Sequence, residues 1–238
     1  MNTDLITERF FEALIAGDRP QARLIISECV KIHGYTPSDL VTELFWPTYQ
    51  NLEKLQRGDQ ITAMAHHLAT RLLRVLVDQN SARMEFVPTR DRTVMVVCGQ
   101  AESDEMGAQM AVDLLELEGF TVMFPGGGIA NDEIIAHVNE HKPEVLMAFA
   151  SAPGDLPNLR VMIDTLREIG ACPNTQIAVG AGVFNRAEGL AEEIGADLWA
   201  TDPLEMVERL VAEPERRADA GQRTVGKNRK PTANRKAA

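Results

Sequence analysis

Three acids fall within four positions, Glu102, Asp104 and Glu105, in a polar stretch bounded by Gly99 and Gly107. Carboxylates at that density bind a hard cation such as Mg²⁺ or Ca²⁺, trade protons as acid and base, or face water or a partner. A second candidate is the consecutive pair His66 and His67. Neighbouring residues on a helix project about 100° apart, so one imidazole can enter a cleft as a ligand to a transition metal while the other faces solvent. Two helix-packing histidines would read the same way. His33, His137 and His141 stand near expected helix ends, where a partial positive charge is favourable. The chain shows no nucleophile, base and acid in sequence, and Gly126-Gly127-Gly128 lacks the Lys-Ser/Thr of a phosphate loop. Cys29, Cys98 and Cys172 are odd in number and widely spaced, which suits small buried residues better than a disulfide or zinc framework. These residues lean toward binding, not catalysis.

The elements that must position them fall into two groups. Up to residue 82 the apolar residues recur at helical spacing in four runs. Leu5 to Ile15 stops at Gly17, Ala22 to Ile32 stops at Gly34, a third run opens at Thr36-Pro37-Ser38 and passes Pro47 to Leu55, and the fourth follows Gly58-Asp59 from Ile61. Short connections between them predict a four-helix bundle. Residues 83–92, with Pro88, lose the periodicity and read as a linker. From residue 93 the pattern alternates. Strands are expected at Thr93–Cys98, Phe120–Phe124, Val145–Ala150, Gln176–Val179 and Asp197–Ala200. Helices are expected at Gly107–Glu118, Asp132–His141, Leu156–Ile169, Arg186–Ile194 and Pro203–Val211. Near-continuous apolar strands alternating with helices predict a doubly wound, flavodoxin-like sheet of five parallel strands, with its functional loops at the carboxyl edge.

Composition narrows the classes further. The 238 residues are 45% hydrophobic and 25% charged, ordinary for a folded globular chain. No run of eighteen apolar residues and no secretory signal is visible, so a cytoplasmic protein without membrane attachment is expected. Residues 221 to 238 hold six basic side chains and no acid, and removing those six charges from the net of −11 leaves about −17 elsewhere. Such a body repels nucleic acid, so polyanion binding would fall to the tail, and residues 213–238 are expected to be a basic disordered end.

The loops choose among doubly wound proteins. A receiver domain needs an aspartate at the end of the third strand, where this chain has Phe149-Ala150-Ser151, and a dinucleotide fold needs G-x-G-x-x-G after the first strand, where it has Gly99-Gln-Ala-Glu-Ser-Asp-Glu-Met-Gly107. The order of elements, the stretch Glu102-Ser-Asp104-Glu-Met-Gly107, the following Gly107-Ala-Gln-Met-Ala-Val-Asp-Leu-Leu-Glu-Leu-Glu-Gly119, Pro143-Glu144-Val145, Gly195-Ala196-Asp197 and His67-Leu-Ala-Thr70 resemble the cobalamin-binding domain with its four-helix cap. That domain occurs in corrinoid methyl carriers, methionine synthase and light-sensing repressors. The likeness extends to about residue 212, giving a cap over 1–82 and a cobalamin-binding-like domain over 93–212. It implies cofactor contacts from Glu102, Asp104, Gly107, Phe149, Ser151, Gly180, Gly182 and the cap residue Leu55, with His67 or His66 as a metal ligand on the upper side.

Three departures accompany the resemblance. Asp104 stands where the family places its cobalt-ligating histidine, and a carboxylate is a poor substitute for imidazole on cobalt. Phe149 stands where the family has a serine lining the groove for the displaced nucleotide tail, although a register two residues along would put Ser151 there. Leu55 and His66 replace the family's cap tryptophan and glutamate, and Trp46 is expected in the core. The expected function is a cobalamin or other tetrapyrrole sensor without a lower protein histidine, haem and bilins included, working through a regulator because no DNA-binding segment precedes the bundle. A corrinoid methyl carrier for a methyltransferase and a cofactor-free interaction module are the alternatives.

Overall fold

A computed structural model of the chain describes residues 3–85, 87, 89–170, 172–180, 182–219 and 221–223, apart from the side chains of Thr3, Glu102 and Ser103. The chain begins with helices α1 (Thr3–Ile15) and α2 (Arg19–His33). Asp18 caps α2 by accepting from the Gln21 N–H, and Gly34 ends it in the left-handed conformation. A reciprocal pair of bonds between Thr36 and Asp39 opens α3 (Pro37–Asp39).

The third run is one continuous rod with an irregular middle. From α3 it passes through a π-helical segment (Leu40–Phe45) into α4 (Trp46–Arg57). The Trp46 N–H bonds to the Val41 carbonyl, five residues back, just before Pro47. Proline has no N–H and its ring crowds the preceding turn, so a widened turn is the local solution. Helix α5 (Ala63–Ser81), capped by Thr62, completes the bundle around Phe10, Leu14, Ile25, Leu44, Phe45, Leu52 and Leu73, all 1% exposed or less.

The second layer is a five-stranded parallel sheet of β1 (Thr93–Cys98), β2 (Thr121–Met123), β3 (Val145–Phe149), β4 (Gln176–Gly180) and β5 (Leu198–Ala200) in the order β2-β1-β3-β4-β5. Helices α6 (Glu102–Leu117) and α10 (Pro203–Ala212) cover one face, and α7 (Asn131–His141), α8 (Leu156–Ile169) and α9 (Leu190–Ile194) the other. Alternation hidden in the apolar runs sorts the side chains. Val94, Val96, Val145, Met147 and Phe149 face α6 and α10, while Met95, Val97, Leu146 and Ala148 face α7 and α8. The core on the α6 side continues unbroken into the bundle, so the bundle is seated on α6 by apolar packing.

Three expectations are corrected. Helix α6 starts at Glu102, so the stretch to Gly107 is its first turns instead of a loop. The helix expected from Arg186 begins at Leu190, after a 3-10 turn at Phe184–Arg186 and a left-handed Gly189. Residues 213–219 and 221–223, expected in a disordered tail, pack on the amino-terminal edge of the sheet. Arg216 covers the Trp199 ring at 4.7 Å, and the Ala218 N–H bonds the buried Asp197 carboxylate at 2.7 Å. Asp197 also accepts from Ile177 N–H and Arg167, so the segment helps satisfy a charge that would otherwise be buried short of partners. The rest of the expected tail, 224–238, and Pro88 of the expected linker lie outside the described residues.

Candidate functional site

In a doubly wound sheet the crevice opens at the carboxyl edge where the strand order reverses, here between β1 and β3. The bundle roofs that edge through one face of α4. Trp46, Tyr49, Glu53 and Arg57, at helical spacing, line a cavity of about 100 Å³ opposite Ser151, Gly182, Asn185 and Arg186. Trp46 thus borders the cleft as well as the core, its ring 5.2 Å from that of Tyr49.

Tyr49 closes the centre. It is 6% exposed and its phenol end lies against Gly107, where an added Cβ would stand 3.1 Å from the phenol oxygen and push the roof back by a few tenths of an ångström. Burial pushes the phenol well above its ordinary range, with the charges of Glu53 and Asp104 adding and a hydrogen bond with Ser151 opposing. Ser151 is also bonded to Asp104. Ser151 thus lies between the phenol and the carboxylate.

Asp104 is 3% exposed and turned inward against Gly99, a position whose missing Cβ leaves room for the carboxylate. Burial raises its pKa, the Ser151 bond pulls it down, and the charges of Asp155 and Glu53 raise it again. Its Oδ1 has no hydrogen-bond partner. Glu105 points elsewhere. It pairs with Arg74 of α5 at 2.9 Å and accepts from the Gly127 N–H at 3.3 Å, and these contacts, Arg74 first, lower its pKa. The acid triplet is therefore divided, and among the described residues no group of three His, Cys, Asp or Glu side chains is placed to hold a metal ion.

The histidines divide too. His66 is half-buried with Nε2 3.0 Å from Glu53 Oε1, which ties α5 to α4. His67 is exposed, its ring 6.1 Å from that of His66. Seven residues before Arg74, it shares the α5 face from which Arg74 reaches the start of α6. Leu55 is two residues from Glu53 and so lies about 200° around α4 from the cleft face, which removes it from the expected roof.

Below the cleft, Phe149 ends β3 in register with Cys98 and Gly180. Its ring is 6% exposed on the α10 side. An added Cβ at Gly180 would stand 2.9 Å from Met206 Cε and 3.9 Å from Phe149 Cε1, so this glycine's space is taken by neighbours. Gly182, at φ +52°, lies against the Ala150 carbonyl and the Ser151 backbone and brings the β3 and β4 exits together. The side chain of Glu102 is outside the described set. Tyr49, Glu53, Arg57, Arg186 and Met206 were not foreseen from the sequence, although Trp46, Tyr49, Glu53 and Arg57 do form a helical stripe.

No protein-family model matches the chain. It is 24% identical over 119 residues to Trimethylamine corrinoid protein 2 of Methanosarcina acetivorans, covering 49% of this chain and 54% of that protein. The chain thus spans about half the length of this curated relative. The monomethylamine corrinoid protein of Methanosarcina barkeri superposes with a TM-score of 0.77 at 14% identity, over 89% of this chain and 99% of that one. A cobalamin-binding protein of Desulfitobacterium hafniense superposes more loosely, at 0.47 and 15% identity over 89% and 98% of the two chains, and adds nothing to the argument. In its bundle, its five-stranded parallel sheet and the way one sits on the other, the chain has the fold of a corrinoid protein.

Proposed function

We propose that the chain carries a corrinoid in the cleft between bundle and sheet and serves as a methyl carrier for a methyltransferase. The observation that carries this reading is the cleft itself: it lies at the carboxyl edge of the sheet, at the exits of β3 and β4, and is roofed by the bundle, in a fold that superposes on a corrinoid protein over nearly its full length. When bound, a corrinoid supplies a cobalt centre that accepts and gives up a methyl group. The sensor role expected from the sequence finds no supporting observation of its own, whereas the Methanosarcina relatives are both named for methylamines.

The residues fit the ring better than the rest of the cofactor. Trp46 and Tyr49 offer apolar faces, and the unpartnered Asp104 Oδ1 offers an acceptor beneath. The cavity of about 100 Å³ is below the ~300–1,000 Å³ of small-molecule sites, so Tyr49 must leave the Gly107 surface to admit a ring. In this reading Asp104 would hold a proton or an acceptor bond at Oδ1 without ligating, and the exposed His67 of α5 would be the imidazole offered from the bundle. A second reading, a module that keeps the fold without a cofactor, draws on one feature: Tyr49 closes over Gly107 and the cavity left beside it is only about 100 Å³.

The test is to incubate the purified chain with hydroxocobalamin, cobinamide, haem or biliverdin, desalt it, and record visible absorption in the protein fraction. The carrier reading expects a corrinoid band, enhanced by Tyr49→Ala, which opens the roof. Absence of any corrinoid band in both proteins would reject it in favour of the cofactor-free module.

A further inference from the structure

We infer that a cavity at the far end of the junction between α5 and α6, apart from the cleft, binds an aliphatic ammonium ion, with a linear diamine as its best-matched form. The cavity has a volume of about 340 Å³, within the ~300–1,000 Å³ of small-molecule sites. It is lined by Asp78 and Ser81 of α5, by Met84 and Glu85 just beyond that helix, and by Asp113 and Glu116 of α6. Asp113 stands nine residues along α6 from Asp104, two and a half turns away, so the site is independent of the corrinoid reading.

Charge and hydrogen bonding both call for a cation that donates. Four of these residues are carboxylates, and among the described residues that line the cavity none is basic. Arg74, one turn before Asp78, is committed to Glu105, and Arg83 is exposed and does not line the cavity. An acidic surface alone would only gather counterions, but Asp113 adds a built feature. It is 1% exposed, its Oδ1 is taken by Ser81 and Gln109, and its Oδ2 has no hydrogen-bond partner. A buried carboxylate oxygen without a donor is costly to keep, and an N–H from a cation makes one of the stronger hydrogen bonds it can accept. Burial pushes the Asp113 carboxyl up to about 6, and the charges of Glu116 and Asp78 add to the rise, as befits a carboxylate among its own sign. A bare metal ion suits the place less. Ca²⁺ draws in about 6–8 oxygens at ~2.3–2.6 Å, and among the described residues no group of three His, Cys, Asp or Glu side chains is placed to hold an ion. An organic ammonium needs no such convergence. One nitrogen meets Asp113 Oδ2 on the floor, the alkyl chain lies along Met84, and a second nitrogen reaches the exposed rim of Asp78, Glu85 and Glu116. So placed, the ligand joins the end of α5 to α6 and holds the bundle on its seat.

Isothermal titration of the full chain with 1,4-diaminobutane at physiological ionic strength should show saturable one-to-one binding. Tetramethylammonium, a cation without an N–H, should bind at least about tenfold more weakly, the loss of one charge-assisted hydrogen bond. Asp113→Asn should weaken the diamine by at least about tenfold for the same reason, and Glu116→Gln, at the exposed rim, by about two- to fivefold. Glu12→Gln removes an exposed charge from α1 and should leave the affinity unchanged. Circular dichroism reports whether Asp113→Asn folds; if it does not, Glu116→Gln decides, and an affinity that it leaves unmoved overturns the site. Absence of saturable binding to the unaltered chain overturns it as well. Tetramethylammonium held as tightly as the diamine, or equal losses in Glu12→Gln and Asp113→Asn, would overturn it in favour of diffuse attraction to the net charge of −11. Uptake of a corrinoid by the cleft is measured separately and is unaffected by any of these results.

Discussion

Asp113 offers a quantitative test of how the bundle is seated. It lies on α6 facing α5, 1% exposed, and its Oδ1 accepts from Ser81 of the bundle at 3.0 Å and from Gln109 at 2.7 Å, while Oδ2 has no partner. Burial, partly opposed by those two bonds, pushes its pKa from 3.8 to about 6. An acid whose folded pKa is raised holds its proton longer in the folded state than in the unfolded one. The folded state therefore binds more protons between about pH 4 and pH 6, and stability falls as pH rises through that window. A gap of about two pH units is worth ~3 kcal/mol. Asp113→Asn keeps the acceptor toward Ser81 and removes the titration, at a pH-independent cost of ~1–3 kcal/mol for an amide donor without a partner. The constant cost drops out of the comparison. The stability of Asp113→Asn minus that of the unaltered chain should rise by ~3 kcal/mol between pH 4 and pH 7, measured by urea unfolding with unchanged denaturant slopes. A difference that stays flat or declines would show that Asp113 is not held in a dry interface, and that the continuous core between α5 and α6 has been misjudged.

Three further outcomes are expected. Tyr49→Phe removes the hydroxyl that meets Ser151 and should lower stability by ~1 kcal/mol in urea unfolding; a loss within error would mean that the cleft closes by ring packing alone. Asp197→Ala takes the partner from Arg167, Ile177 N–H and Ala218 N–H, and should cost ~3–5 kcal/mol while hydrogen exchange at Ala218 accelerates. Protection at Ala218 that survives the substitution would place the anchor of residues 213–223 elsewhere. If the cleft holds a corrinoid, His67→Ala should shift its visible spectrum and His66→Ala should not, since His66 is engaged with Glu53; the reverse pattern would exchange their roles.

Much of this architecture is legible in the sequence because burial on both faces writes parallel strands as unbroken apolar runs, and Thr93–Cys98 and Val145–Ala150 need no other explanation. The bundle is legible from helical spacing and from caps such as Asp18 and Thr62. Legibility fails where local signals conflict. Glu102 to Gly107 reads as a loop because of its acids and glycine, yet acids in a first turn are favoured by the helix dipole, and the Ala101 before it carries no capping side chain to announce the start. Leu55 stands at the family's cap position by count, yet the face of α4 that meets the cleft is set by Glu53 and Arg57, two residues to either side of it. The π-helical turn before Pro47 adds to the difficulty, since one extra residue in a turn rotates the rest of the helix by about 100°. A composition scan cannot see that turn; the stripe of Trp46, Tyr49, Glu53 and Arg57 beyond it could have been seen.

The departures around the cleft also explain one another. With α6 helical from Glu102, the side chain at position 104 is directed inward against Gly99, into a space that a carboxylate fills to contact. An imidazole there would be larger than the space and would point into the domain, away from the roof. A carboxylate fits, and it is steadied by Ser151, which also meets Tyr49. Ser151 can do so because it lies two residues beyond Phe149, whose pairing with Cys98 and Gly180 fixes the strand's register. Slipping that register by two would bring Ser151 into the apolar core beside Met206 and leave its hydroxyl without partners. Replacing Asp104 by histidine alone is therefore expected to destabilise the chain without creating a cobalt ligand. Restoring one would also require unwinding the first turn of α6 and relieving the packing at Phe149.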